Sequence, residues 1–187
     1  MVTLYPCDMR ILAVCGSLQA KSENLSLLNT AAAVVPRGVE LVIFDGLRHL
    51  PHFDPDIEAR GVPESVLRWR QALVASHAVL VACPEYGFSL PGALKNAIDW
   101  VIGSGELEEK VVAITAAVPG PERGRRGLQA LRDTLSAVRA RIVGGEPIPR
   151  GPEFAPQVAA LVQALVEAAG GPPTHVGSIG ALNAPGI

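Results

Sequence analysis

Short, almost continuous apolar runs recur along the chain, separated by turn-rich and amphipathic segments. Ile11-Leu12-Ala13-Val14-Cys15, Val39–Phe44, Ala78-Val79-Leu80-Val81-Ala82-Cys83 and Lys110–Ala117 have strand length and few polar residues. Such runs suit strands buried on both faces, as in a parallel sheet covered by helices. The pattern predicts strands over Arg10–Cys15, Val39–Phe44, His77–Cys83, Lys110–Ala117 and Arg139–Val143. It predicts helices over Asn24–Val35, from Pro63 to Ser76, over Gly92–Ile102, after the turn Val118–Gly127 to Val138, and over Phe154–Ala169. In the second of these, Val66, Leu67, Ala72, Leu73 and Val74 make the apolar face. Asp45–Gly61 and Gly144–Pro152 read as irregular. This alternation of strand and helix is an α/β domain, expected over residues 10–169. Residues 1–9 read as a flexible leader and 170–187 as a mobile Gly/Pro-rich tail.

Composition narrows the function classes. With 187 residues, 49% of them hydrophobic, the chain suits one domain with a full core. A net charge of −2 argues against a protein built for nucleic acid. No apolar run reaches membrane-spanning length and no basic, then apolar, targeting segment opens the sequence. A cytoplasmic location is the simplest expectation. Cys7, Cys15 and Cys83 fit neither a disulfide framework nor zinc spacing. Cys15 and Cys83 end neighbouring predicted strands, so they are either a redox pair or, as we favour, two small buried hydrophobes. His49, His52, Asp54 and Asp56 could look like a metal cluster, a reading we do not favour. There is no Gly-x-Ser-x-Gly elbow, no P-loop and no dinucleotide fingerprint, which leaves hydrolase and NTPase chemistry without support.

Two strand-to-helix turns carry candidate chemistry. After the first strand comes Gly16-Ser17-Leu18-Gln19-Ala20-Lys21-Ser22-Glu23-Asn24. Gly16 permits a tight turn, Ser17, Ser22 and Asn24 offer polar donors, Lys21 offers a charge, and a helix N-terminus adds unpaired N–H groups. These features suit a phosphate. After the third strand comes Pro84-Glu85-Tyr86-Gly87-Phe88-Ser89-Leu90-Pro91-Gly92, leading into Ala93-Leu94-Lys95-Asn96-Ala97-Ile98-Asp99-Trp100. Ligands in open parallel sheets bind beyond the carboxyl ends of strands, at the switch point of strand order.

From about Arg10 to Ala169 the chain resembles the NADPH-dependent FMN reductase family. The first turn is similar to the family's Gly-Ser-Leu-Arg-x-x-Ser-x-Asn phosphate loop, with Gln19 where Arg is usual. The second is similar to its isoalloxazine loop, with Gly87 where Asn is usual. The resemblance implies a flavodoxin-like three-layer sandwich with five parallel strands in the order 2-1-3-4-5. It implies FMN held by Gly16, Ser17, Gln19, Ser22, Asn24, Pro84, Glu85, Tyr86, Gly87, Ser89 and Thr115. NADPH or NADH would be a transient hydride donor. No catalytic side chain is then required, because the flavin carries the redox chemistry. The implied activity is hydride transfer from NAD(P)H through FMN to a small acceptor (quinone, flavin, azo dye or chromate) in a ping-pong cycle. The Gly92–Ile102 helix is expected near a homodimer or homotetramer interface, with Lys95 and Asp99 paired along it. Arg123, Arg125 and Arg126 either meet the 2′-phosphate of NADPH or form a solvated basic turn. Two other readings stay open: a flavodoxin-like electron carrier, and a specialised family member, motivated by Gln19 and Gly87, without general reductase activity.

Overall fold

The computed structural model describes residues 9–120 and 122–170. The tail beyond 170, with His175, and the leader up to residue 8, with Cys7, lie outside the described residues. Five parallel strands are arranged β2-β1-β3-β4-β5, the expected order. They are β1 (Met9–Cys15), β2 (Val39–Phe44), β3 (Ala78–Ala82), β4 (Val111–Val118) and β5 (Arg141–Pro149). The helices are α1 (Glu23–Val34), α2 (Pro55–Arg60), α3 (Glu64–Val74), α4 (Gly92–Ile102), α5 (Arg125–Ala137) and α6 (Phe154–Gly170).

Strand alternation divides the interior into two cores. Leu12 and Val14 of β1 join Trp69, Leu73, Leu94, Ile98, Leu128 and Leu131, so α3, α4 and α5 cover one face. Ile11 and Ala13 join Leu27, Leu28, Val158 and Val162, so α1 and α6 cover the other. Every residue of β3 and β4 is buried, which accounts for their unbroken apolar sequence.

Three expectations are corrected. Asp45–Gly61 contains a turn of 3-10 helix, Leu47–His49, and α2. Asp54 caps α2, its Oδ1 accepting from the Asp56 N–H at 2.8 Å, and Pro55 fits the first helical turn. Secondly, β5 continues to Pro149, although Gly144-Gly145 resembles a turn. These glycines form an irregularity where pairing with β4 shifts register between Ile114 and Ala116. Gly144 holds a φ of +69°, which favours glycine, and a Cβ there would lie 2.7 Å from Leu161 Cδ1 of α6. Thirdly, Leu67 and Val74 are exposed on α3, and Trp69 is buried instead. Its Nε1 donates to the Ala97 carbonyl at 2.8 Å, locking α3 to α4.

The same α4 anchors the segment before α2. Asn96 Nδ2 and Trp100 Nε1 both donate to the Pro51 carbonyl at 2.8 Å, and Asn96 Oδ1 accepts from the Phe53 N–H. Lys95 and Asp99 form the expected pair at 2.6 Å.

Candidate cofactor site

Strands β1 and β3 are neighbours, while the chain leaves β1 toward β2 and β3 toward β4. Their C-terminal loops therefore meet at the switch point. Gly16 makes this meeting close. Its N–H donates to the Ala82 carbonyl at 2.8 Å. A Cβ there would stand 3.1 Å from Leu94 and 3.2 Å from Pro84, so a larger residue would push the two loops apart.

Loop 16–22 leads into α1 with several backbone donors unspent. Ser22 is the N-cap of α1, with Oγ accepting from the Asn24 N–H at 3.2 Å. Ser17 Oγ accepts from the Gln19 N–H at 3.2 Å. The backbone N–H groups of Leu18, Ala20, Lys21 and Ser22 find no acceptor among the described residues. Unspent donors beside a helix N-terminus match a phosphate in hydrogen-bonding type and sign. Asn24 serves the scaffold as well as the loop: its buried Oδ1 accepts from the Ala117 N–H at 3.0 Å, fastening α1 to the end of β4.

The loop after β3 is a tight turn. Tyr86 and Ser89 exchange N–H···O bonds of 3.0 Å. Gly87 and Phe88 between them have φ of +57° and +63°, the signature of a type I′ turn. A left-handed backbone at position 87 suits glycine or asparagine. Phe88 holds the same conformation without that freedom, and its ring lies 4.3 Å from the Arg126 guanidinium carbon. Tyr86 Oη and Ser17 Oγ lie 3.2 Å apart, a hydrogen bond that joins the two loops.

The side chain of Glu85 closes the next wall. Its Oε2 accepts from the N–H groups of Arg126 at 2.9 Å and Gly127 at 3.1 Å, capping α5 from outside the helix. Between these elements opens a groove of about 350 Å³ lined by Pro84, Glu85, Ala117, Val118, Pro119, Arg123 and Gly124. Its lining is more polar than apolar, mixing the prolines and Val118 with backbone groups, Glu85 and Arg123.

The turn arginines have separate fates. Arg125 pairs with Glu146 at 3.3 Å, Arg126 lies over Phe88, and Arg123 lines the groove. Thr115 lies deeper than the other candidates. It is wholly buried and its Oγ1 donates to the Glu146 carbonyl at 3.0 Å, so its hydroxyl serves the β4–β5 irregularity and does not reach the groove. Cys15 and Cys83 are free, buried thiols. Burial pushes both upward; Cys83, with Glu85 adding a smaller repulsion, rises to about 12. Thiols held neutral in this way are poor nucleophiles and poor redox partners.

The sequence reading missed Glu85 as a cap and Gly127 as its seat. It also missed Arg48, whose Nη2 donates to the Leu18 carbonyl at 2.6 Å. None of these has a local signal, because each partner lies thirty or more residues away.

A family model for NADPH-dependent FMN reductase matches residues 9–150. The chain belongs to that family. An NAD(P)H-dependent FMN reductase of Pseudomonas aeruginosa is 38% identical over 132 residues, 68% of this chain and 70% of the relative. A quinone reductase of Pseudomonas putida is 34% identical over 128 residues, 67% of this chain and 68% of the relative. Among solved structures, the flavoenzyme NAD(P)H:(acceptor) oxidoreductase FerB of Paracoccus denitrificans superposes with a TM-score of 0.75 at 26% identity. That match covers 86% of this chain and 98% of FerB. Family membership makes the chain an FMN-dependent NAD(P)H oxidoreductase acting on small molecules. Among the described residues, no helix is long and apolar enough to cross a membrane.

Proposed function

We propose that FMN binds across the C-terminal ends of β1, β3 and β4, with loop 16–22 around its phosphate and the Pro84–Ser89 turn, beside the groove between β3 and β4, against its ring. The carrying observation is the row of unspent N–H donors at Leu18, Ala20, Lys21 and Ser22, joined to the Pro84–Ser89 turn through the Ser17–Tyr86 hydrogen bond. When bound, FMN supplies the redox chemistry, taking a hydride from NAD(P)H and passing reducing equivalents to a quinone, flavin, azo or chromate-type acceptor in a ping-pong cycle.

This chain's residues do the holding. Ser22 and the first turn of α1 receive the phosphate. Ser17 and Tyr86 set the distance between phosphate loop and ring loop. Pro84, Glu85, Gly87 and Ser89 give the ring a backbone platform, while Gln19 contributes a neutral amide beside the phosphate. Exposed Phe53, Tyr86, Phe88 and Ile102 support a homodimer or homotetramer formed along α4. A cytoplasmic setting fits two free thiols.

The test is an absorption spectrum of the purified chain with FMN, before and after anaerobic NADPH or NADH. We expect a bound-flavin spectrum that bleaches rapidly. A bound flavin that stays oxidised with both nucleotides would favour a carrier or specialised role, and no binding would refute the site.

A further inference from the structure

A phosphate monoester carries about −1.5 to −2 charges at neutral pH, yet most of loop 16–22 offers neutral donors. Its own first helical turn contributes Glu23, an unfavourable charge for a nearby anion. Arg150 offsets that charge, its Nη1 lying 2.9 Å from Glu23 Oε1. Lys21 is exposed and no hydrogen bond or ion pair fixes its ammonium among the described residues. One guanidinium is fixed on the loop itself. Arg48 projects from the Leu47–His49 turn, which buried Leu47 anchors after β2, and its Nη2 donates to the Leu18 carbonyl at 2.6 Å. Arg48, Ser17, Leu18, Gln19 and Ala20 line one crevice of about 180 Å³, with Asp45 as its one acidic side chain. The guanidinium is thus docked one residue from Gln19, beside the unspent N–H groups of Leu18, Ala20, Lys21 and Ser22.

We propose that Arg48 is the positioning cation of the phosphate loop, holding the Leu18 carbonyl and supplying from β2's end the positive charge that Gln19 lacks. The inference rests on the FMN reading above and goes beyond it by assigning the site's preference for the phosphorylated flavin to a residue outside the loop. Guanidinium groups suit this task because one N–H can fix a carbonyl while others face an anion. A residue that merely shaped the loop would affect FMN and riboflavin alike, whereas a charge acting on phosphate separates them.

The experiment titrates the full chain, stripped of flavin, with FMN and with riboflavin, following flavin fluorescence. Arg48→Ala should raise the Kd for FMN about tenfold and leave riboflavin unchanged. Adding Gln19→Arg to that variant should restore most of the FMN affinity. Equal weakening of both flavins, an unchanged FMN Kd, or no recovery by the second substitution would overturn the assignment. A wild-type chain that binds neither flavin would instead overturn the cofactor reading itself, and this inference with it.

Discussion

Glu85 and Gly127 are fitted to each other across 42 residues of sequence. The Gly127 N–H donates to Glu85 Oε2 at 3.1 Å. A Cβ on Gly127 would lie 3.0 Å from both Glu85 Cα and Cβ. The ring loop and the N-terminus of α5 thus share one joint, made possible by a missing side chain and sealed by a carboxylate. Gly127→Ala should push the Pro84–Ser89 turn off α5 and weaken FMN binding about tenfold or more, measured by fluorescence titration. Glu85→Ala should cost about 1 kcal/mol in denaturant stability, as for a lost helix cap. If FMN affinity is unchanged in Gly127→Ala, the joint does not shape the site.

Asn24 links the phosphate loop to the sheet. Truncating it to Ala leaves the Ala117 N–H without its acceptor, a loss of about 1–3 kcal/mol by the usual penalty for a buried unsatisfied group. Combined with Ser17→Ala, it should also weaken FMN strongly, because the Tyr86 tether goes too. Urea unfolding of the single variant and flavin titration of the double variant check the two halves. Full flavin retention by the double variant would count against the phosphate loop.

Cys83 predicts an alkaline weakness. Burial raises its folded pKa from 9.0 to about 12. Below pH 9 the thiol is neutral in both states and contributes its full share. Above that, the unfolded chain loses the proton first and gains stability over the folded one. The contribution therefore fades as pH rises from 9 toward 12, by up to about 1.4 kcal/mol per pH unit. Unfolding curves of wild type and Cys83→Ala should converge across that window, read from the slope with pH rather than the level. Parallel slopes would show that the thiol titrates normally in the folded chain.

Arg123 is the turn arginine that faces the groove, and its guanidinium has no partner among the described residues. Arg125 is paired with Glu146, and Arg126 lies over Phe88. Arg123→Ala should lower kcat/KM with NADPH about tenfold while leaving NADH nearly unchanged, as expected for a lost guanidinium–phosphate contact. Equal losses with both nucleotides would assign Arg123 to shaping the groove instead.

Sequence alone determined the α/β alternation, both strand-to-helix turns and the family. These are local properties: buried parallel strands need continuous apolar runs, and tight turns need Gly, Pro and small polar residues at fixed spacing. β2 and α4 match their predicted bounds for that reason. Gly144-Gly145 misled because glycine marks both a turn and a strand irregularity, and the approach of Leu161 on α6 decides between them. A hydroxyl at a strand end suits a ligand or a neighbouring carbonyl equally, and only the pairing with β5 brings the Glu146 carbonyl to Thr115. Only the tertiary structure decided that Glu85 caps α5, that Asn24 holds Ala117 and that Arg48 reaches Leu18. Each of these bonds joins segments far apart in the chain, and their geometry exists only once the sheet has brought the strand ends together.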